Sequence, residues 1–394
     1  MLLDFDNLEV AYRHKTTREL KKDARLFRLM NSRFFTLLST KLGLVALKMR
    51  LPFSEWLIYK TLFRQFVGGR TLMECQKTVD DLSDHHVLTM LDIGIERSKT
   101  REENEKVLNE TIKSINFASI NDAVPVITTK ITGLGRMELL EKWGQSKLNT
   151  REQEEFDELE SRLRKICRTA RDKHVGVFID AEESWIQDAI HFLAMKMIRE
   201  YNIDEPIVYN TYQMYRHDKL EQLRGDLEEA KKEGYILAVK LVRGAYMEKE
   251  NEYAEKRDIP SVIHQSKQDC DQDYNAALKL CLDNYQHVSI SNATHNMESI
   301  RFMVQYILDH NLPRDHRHFN FCQLYGMGDF LTYNLADAGF LAAKYVPYGK
   351  VKDVFPYLVR RAEENSSVSG EVSRELKMIQ LELVRRKTLS ERQQ

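Results

Sequence analysis

The chain has 394 residues, of which only 16 are glycine and 7 proline, about 6% turn formers against a usual ~12%. All-β sandwiches and barrels turn every ~8–12 residues, so the shortage disfavours them and gives much of the length to helices. Lysine and arginine number 59 against 60 acidic residues, which leaves no global field to hold nucleic acid or an anionic membrane.

Hydrophobic residues at 42% and charged residues at 30% describe a globular chain with a solvated outer layer, not a disordered one. The five cysteines, Cys75, Cys167, Cys270, Cys281 and Cys322, are scattered and form no C-x-x-C pair, so they read as reduced thiols of a cytosol-like compartment. Asp4, Asp6 and Glu9 at the N-terminus are unlike a signal or transit peptide, and a cytoplasmic address is expected. The most apolar stretch, Phe34 to Phe53, is interrupted by Lys41, Lys48 and Arg50, leaving no uncharged span of ~20 residues to cross a membrane.

Residues 1–84 read as a helical N-terminal region. From Met30 to Phe66 apolar residues recur at helical spacing around Arg33, Lys41, Lys48, Arg50, Lys60 and Arg64, opposed only by Glu55. Such basic amphipathic helices either pack on the main domain, the commoner outcome, or lie on an anionic membrane surface.

Short β-prone runs follow at 87–94, 124–131, 174–180, 206–209, 236–242, 287–293, 318–323 and 341–346. They are mostly apolar, as parallel strands covered by helices are. An insertion over 136–172 opens a helix with a capping box read at Thr150 and Gln153, and its apolar stripe is Phe156, Leu159, Leu163, Ile166 and Ala170. Further helical patterns cover 183–201, 216–233, 270–285 and 297–311. Strands alternating with helices predict an α/β chain, a (β/α)8 TIM barrel over residues 85–370. A C-terminal amphipathic tail over 371–394 carries Leu376, Ile379 and Leu383 beside Arg385, Arg386 and Lys387.

In such a barrel the chemistry sits at the C-terminal ends of the strands. Those ends carry Glu96, Lys130, Asp180 with Glu182, Gln213, Lys240 with Arg243, Thr294 with His295, Gln323, and Tyr345. One such residue alone is most often a surface charge. Polar groups at all eight ends are harder to dismiss, because charge at a barrel mouth is costly unless it pairs or binds something. After the last strand, Arg360 and Arg361 form a pair able to grip a carboxylate bidentately. No G-x-G-x-x-G, Walker A, H-E-x-x-H or G-x-S-x-G sequence occurs, and the histidine pairs lack zinc spacing, so no metal is assigned.

Seven segments in order are together specific: TKITGLG (129–135), IDAEE (179–183), YQMY (212–215), VKLVRGAY (239–246), NATHN (292–296), YVPYG (345–349) and YLVRRAEEN (357–365), and FRQFVGG (63–69) with LDIGIE extends the likeness weakly upstream. Across roughly residues 60–370 the chain resembles proline dehydrogenase. The resemblance implies a distorted barrel whose eighth helix lies over the mouth, and noncovalent FAD. It also implies oxidation of L-proline to Δ1-pyrroline-5-carboxylate by hydride transfer from proline C5 to flavin N5, the first step of proline catabolism to glutamate. It places Arg360, Arg361 and Lys130 on the substrate carboxylate, with Asp180 and Glu96 balancing their charge, and Tyr345 against the proline ring. Tyrosine there favours proline over hydroxyproline. Lys240 would stand beside the flavin N5, where many bacterial members carry arginine. Ala181, Gln213, Val242, Arg243, Gly244, Thr294, His295 and Glu364 would line the FAD site, with Tyr246 supporting it. Asp180 is the family's candidate for the amine proton, and pairing with the cationic clamp is an equal alternative.

The family's usual acceptor is a membrane quinone, which would give the basic segment and the tail a peripheral role on the inner face of the inner membrane. No aldehyde dehydrogenase segment occurs in the chain, so pyrroline-5-carboxylate dehydrogenase is expected as a separate protein. Two rivals stand beside this reading: a barrel lyase or aldolase using Lys240 or Lys130 as a Schiff-base amine, and a non-enzymatic helical interaction protein.

Overall fold

The computed structural model describes residues 3–31, 54–94, 97–367 and 371–392. Glu96 and the apolar stretch Phe34 to Phe53 lie outside the described residues, as do the side chains of Arg360, Arg361 and Glu364.

The strands are β1 (Leu88–Ile93), β2 (Val126–Thr129), β3 (Gly176–Ile179), β4 (Val208–Gln213), β5 (Leu237–Val242), β6 (Val288–Ala293), β7 (Phe319–Leu324) and β8 (Ala342–Tyr348). They form a closed barrel in chain order, and the pairings from β1 to β7 are parallel. All eight predicted strands are present. β4 corrects its expected bounds, running on to Gln213 rather than ending at 209. Its sequence VYNTYQ reads as a loop because it is polar, yet every residue is buried: Thr211 donates to Ile179 O at 2.8 Å and Tyr212 to Asp226 Oδ2 at 2.6 Å. Buried polar groups that find partners are as good strand residues as apolar ones.

The chain divides into two compact units, residues 90–322 and residues 1–89 with 323–394. In the first, helices alternate with the strands from β1 to β7. The insertion helix Thr150–Asp172 buries Phe156, Leu159, Leu163, Ile166 and Ala170, the predicted stripe. Its capping box lies one residue earlier than expected. Asn149 Oδ1 accepts from Glu152 N at 2.9 Å and Glu152 Oε2 accepts from Asn149 N at 3.1 Å, so Thr150 is the first helical residue; asparagine and threonine both cap well, and sequence alone does not rank them.

In the second unit the helices Leu8–Tyr12 and Asp329–Asp337 pack together, as do Thr17–Met30 and Glu371–Arg392. Lys15 and Lys344 lie 2.8 and 2.9 Å from the buried Asp329 carboxylate. Burial alone would raise the Asp329 pKa, but the two ammonium groups overcome it and hold the carboxyl well below its usual range. Two of the tail's cations are occupied: Arg385 pairs with Glu382 and Glu9, and Arg386 donates to the carbonyls of Lys15 and Tyr12 at 2.8 Å. Among the described residues no helix is long and apolar enough to cross a membrane.

Candidate active site

Parallel register carries the last residues of successive strands to one end of the ladder, and four ionisable side chains meet there within the unit 90–322. Asp92 is the penultimate residue of β1, Lys130 and Asp180 directly follow β2 and β3, and Lys240 lies in β5. Lys240 Nζ donates to Asp180 Oδ1 at 2.7 Å. Lys130 Nζ lies 3.8 Å from Asp180 Oδ2 and 3.6 Å from Asp92 Oδ1. The result is an alternating set, Asp92, Lys130, Asp180, Lys240, with formal charges that cancel. All four side chains are at most 13% exposed, a burial that isolated charges could not tolerate. The Lys240 ammonium also stands 5.1 Å from the centre of the Phe178 ring, on the strand that leads to Asp180.

A further carboxylate, Glu182, is buried in the loop after β3. Glu182 accepts from Thr132 Oγ1 at 2.6 Å and from Thr132 N at 3.2 Å. Burial pushes its pKa up to about 7 against those two bonds. Its backbone is fixed as well: the N–H donates to Gln187 and the carbonyl accepts from Gln213 Nε2 at 2.8 Å. Gln213 Oε1 in turn accepts from Ala245 N at 3.3 Å. The Gln213 amide thus ties the loops after β3 and β5 together, with Ala181 inside the first and Arg243, Gly244 and Ala245 in the second.

Arg243 is similarly committed. Its guanidinium donates to Asp271 Oδ1 at 2.7 Å, Thr294 Oγ1 at 2.7 Å and Ser299 Oγ at 3.0 Å, and lies 4.3 Å over the Tyr274 ring. Thr294 Oγ1 also accepts from Asn296 N at 3.0 Å, just beyond His295. Gly244 adopts φ +137°, and a Cβ there would stand 2.5 Å from the Tyr215 ring. Only glycine permits the chain to turn this close to an aromatic face. The backbone carbonyls of Val242 and Arg243 accept from Met214 N and Tyr215 N, and Tyr246 is buried beneath them.

The sequence-predicted residues Lys130, Asp180 and Lys240 therefore converge, and Gln213, Arg243 and Thr294 hold the neighbouring loops. Tyr345 is buried on β8 and Gln323, on β7, accepts from Thr332 Oγ1 at 2.9 Å, both in the other unit. Arg360, Arg361 and Glu364 fall on the helix Val351–Ser367. Asp92 escapes a reading of the residues that follow each strand, because it lies inside β1. The signal available was its charge inside the run LTMLDI, where an unpaired carboxylate would be expensive. Among the described residues no group of histidine, cysteine or carboxylate side chains is arranged to hold a metal.

Residues 75–374 match the family model described as Proline dehydrogenase. A mitochondrial proline dehydrogenase 1 of Drosophila melanogaster is 35% identical over 251 residues, covering 61% of this chain. The carbapenem antibiotics biosynthesis protein CarD of Pectobacterium carotovorum is 31% identical over 351 residues, covering 89% of this chain and 91% of its own. A crystal structure of proline utilization A from Bdellovibrio bacteriovorus superposes with a TM-score of 0.71 at 22% identity over 92% of this chain, and so shares the fold. This chain spans 37% of the length of the Drosophila protein and 38% of that of the Bdellovibrio one.

Proposed function

The chain belongs to the proline dehydrogenase family, and on that premise we propose that it oxidises L-proline to Δ1-pyrroline-5-carboxylate with noncovalent FAD, opening proline catabolism to glutamate. The observation that carries this reading is the alternating set Asp92, Lys130, Asp180, Lys240 at the strand ends. A zwitterionic amino acid offers one carboxylate and one ammonium to such a set, and each finds a complement without a large excess of either charge.

The donor set also suits the dinucleotide. A flavin and its pyrophosphate call for cations and free N–H groups, and the segment from Val242 to Ala245 offers a cation at Arg243 and a half-buried glycine turn at Gly244. Ala181, Gln213, Thr294, His295 and Glu364 are assigned to the same site from the resemblance. When bound, the flavin supplies the redox step, accepting the hydride from proline C5.

The chain's own residues orient and balance. Lys130 holds the substrate carboxylate, an assignment shared with Arg360 and Arg361, while Tyr345 packs on the ring; all four roles come from the resemblance. Lys240 presents a positive charge that favours charge building on the acceptor. Asp180 has Lys240 on one oxygen and Lys130 near the other. That geometry favours its pairing role over that of proton acceptor. Electrons are assigned to a quinone and the product to a pyrroline-5-carboxylate dehydrogenase, with peripheral membrane contact, from the resemblance alone.

The Schiff-base rival needs a neutral amine at Lys240 or Lys130. In the structure both amines lie instead against carboxylates, Lys240 on Asp180 and Lys130 beside Asp92. The test is direct. The purified protein should be yellow, and its band near about 450 nm should bleach on adding L-proline without oxygen, as a flavin-centred oxidation requires. A colourless protein that borohydride traps on a carbonyl substrate would support the lyase.

A further inference from the structure

We propose that Asp92 is a positioning residue that holds the Lys130 ammonium for the substrate carboxylate; the inference rests on the proline dehydrogenase reading above. Asp92 and Thr128 are register partners on β1 and β2, so their side chains share one side of the ladder. Thr128 Oγ1 donates to Asp92 Oδ1 at 2.6 Å, and the same oxygen lies 3.6 Å from Lys130 Nζ. The Asp92 side chain is 2% exposed. A carboxylate in such a place is kept for what it pairs with, since an apolar residue would fill a strand interior at less cost.

Lysine needs this help more than arginine would. Its ammonium sits on a flexible four-carbon stem and has no planar fork to fix its direction. Asp180 also stands near Lys130, at 3.8 Å, but it is already bonded to Lys240 at 2.7 Å. Asp92 is thus the nearer anchor. With its charge removed, Lys130 turns toward Asp180 and competes with Lys240 for it. One carboxylate would then serve both the carboxylate-binding lysine and the flavin-side lysine. Asp92 keeps those duties apart. Thr128 fixes the oxygen that does so.

The isosteric variant Asp92→Asn retains an oxygen to accept from Thr128 and loses only the charge. In the full-length holoenzyme, KM for proline should rise about tenfold while kcat stays within about threefold, the pattern of lost binding rather than lost chemistry. The Kd of cyclopentanecarboxylate, which carries the carboxylate but cannot be oxidised, should rise in parallel by calorimetry, and Asp92→Glu should restore most of both. Thr128→Val, which removes only the orienting hydroxyl, should move KM the same way by about threefold, and it carries the test if Asp92→Asn loses its flavin or its folded near-UV signal. Both constants within about twofold of the parent in folded protein, or a fall in kcat at constant KM, would overturn the proposal. If the parent itself is not reduced by proline, the functional reading fails instead, and the cyclopentanecarboxylate titration still reports whether Asp92 governs anion binding.

Discussion

Lys240 and Asp180 lie 60 residues apart in the chain, yet their side chains meet at 2.7 Å, one from within its barrel strand and the other from the residue directly after its own. Lys240 belongs to β5 and Asp180 follows β3, so the pair spans the intervening β4 and fixes the direction of a lysine that otherwise rotates freely.

Lys240→Met removes the cation and strands the carboxylate. Because the charge is proposed to act on the flavin, reduction by proline should slow by about 10²-fold, the scale of losing one electrostatic stabiliser. Proline affinity should change by less than about threefold. Anaerobic stopped-flow at increasing proline separates the two. A change in affinity at an unchanged limiting rate would move Lys240 to the substrate.

Arg361 carries the carboxylate assignment from the resemblance. Arg361→Met should raise KM for proline by about 30-fold or more, since truncating one side of a charge-paired contact costs about 2 kcal/mol or more. The flavin spectrum should be unaltered. An unchanged KM would take the residue out of the clamp.

Glu182 gives a pH dependence of stability. Its folded pKa, about 7, stands above the ordinary carboxyl value of about 4.3, so the folded protein holds a proton that the unfolded chain releases. Stability is therefore undiminished below about pH 4.3 and falls as pH rises toward 7, by a few kcal/mol at most, on account of this group. Glu182→Gln should flatten that slope in urea unfolding between pH 5 and pH 8 and raise the midpoint at pH 8. A slope equal to that of the parent would show that another group controls it.

Gly244→Ala should be poorly tolerated. The position has φ +137°, and the new methyl would meet the Tyr215 ring at 2.5 Å. Strain of this kind costs about 1–3 kcal/mol, and relief requires the turn after β5 to move. Thermal unfolding should shift down and flavin content after purification should fall with it. A variant with full flavin and an unshifted midpoint would show that the turn does not frame the cofactor site.

The sequence by itself determined the order of elements: apolar runs alternating with amphipathic helices define a barrel, because burial on both faces leaves a strand no polar positions to spare. It also located Lys130, Asp180 and Lys240, since charge just after an apolar strand is conspicuous. It misjudged β4, whose tyrosines, threonine and glutamine find buried partners that local sequence does not show. Only the tertiary structure decided who pairs with whom. Asp92 and Lys130 are 38 residues apart and are joined by strand register, as are Gln213 and the loops it ties. Hydrophobic periodicity reports which face a residue presents; pairing depends on distances that exist only once the strands are laid side by side.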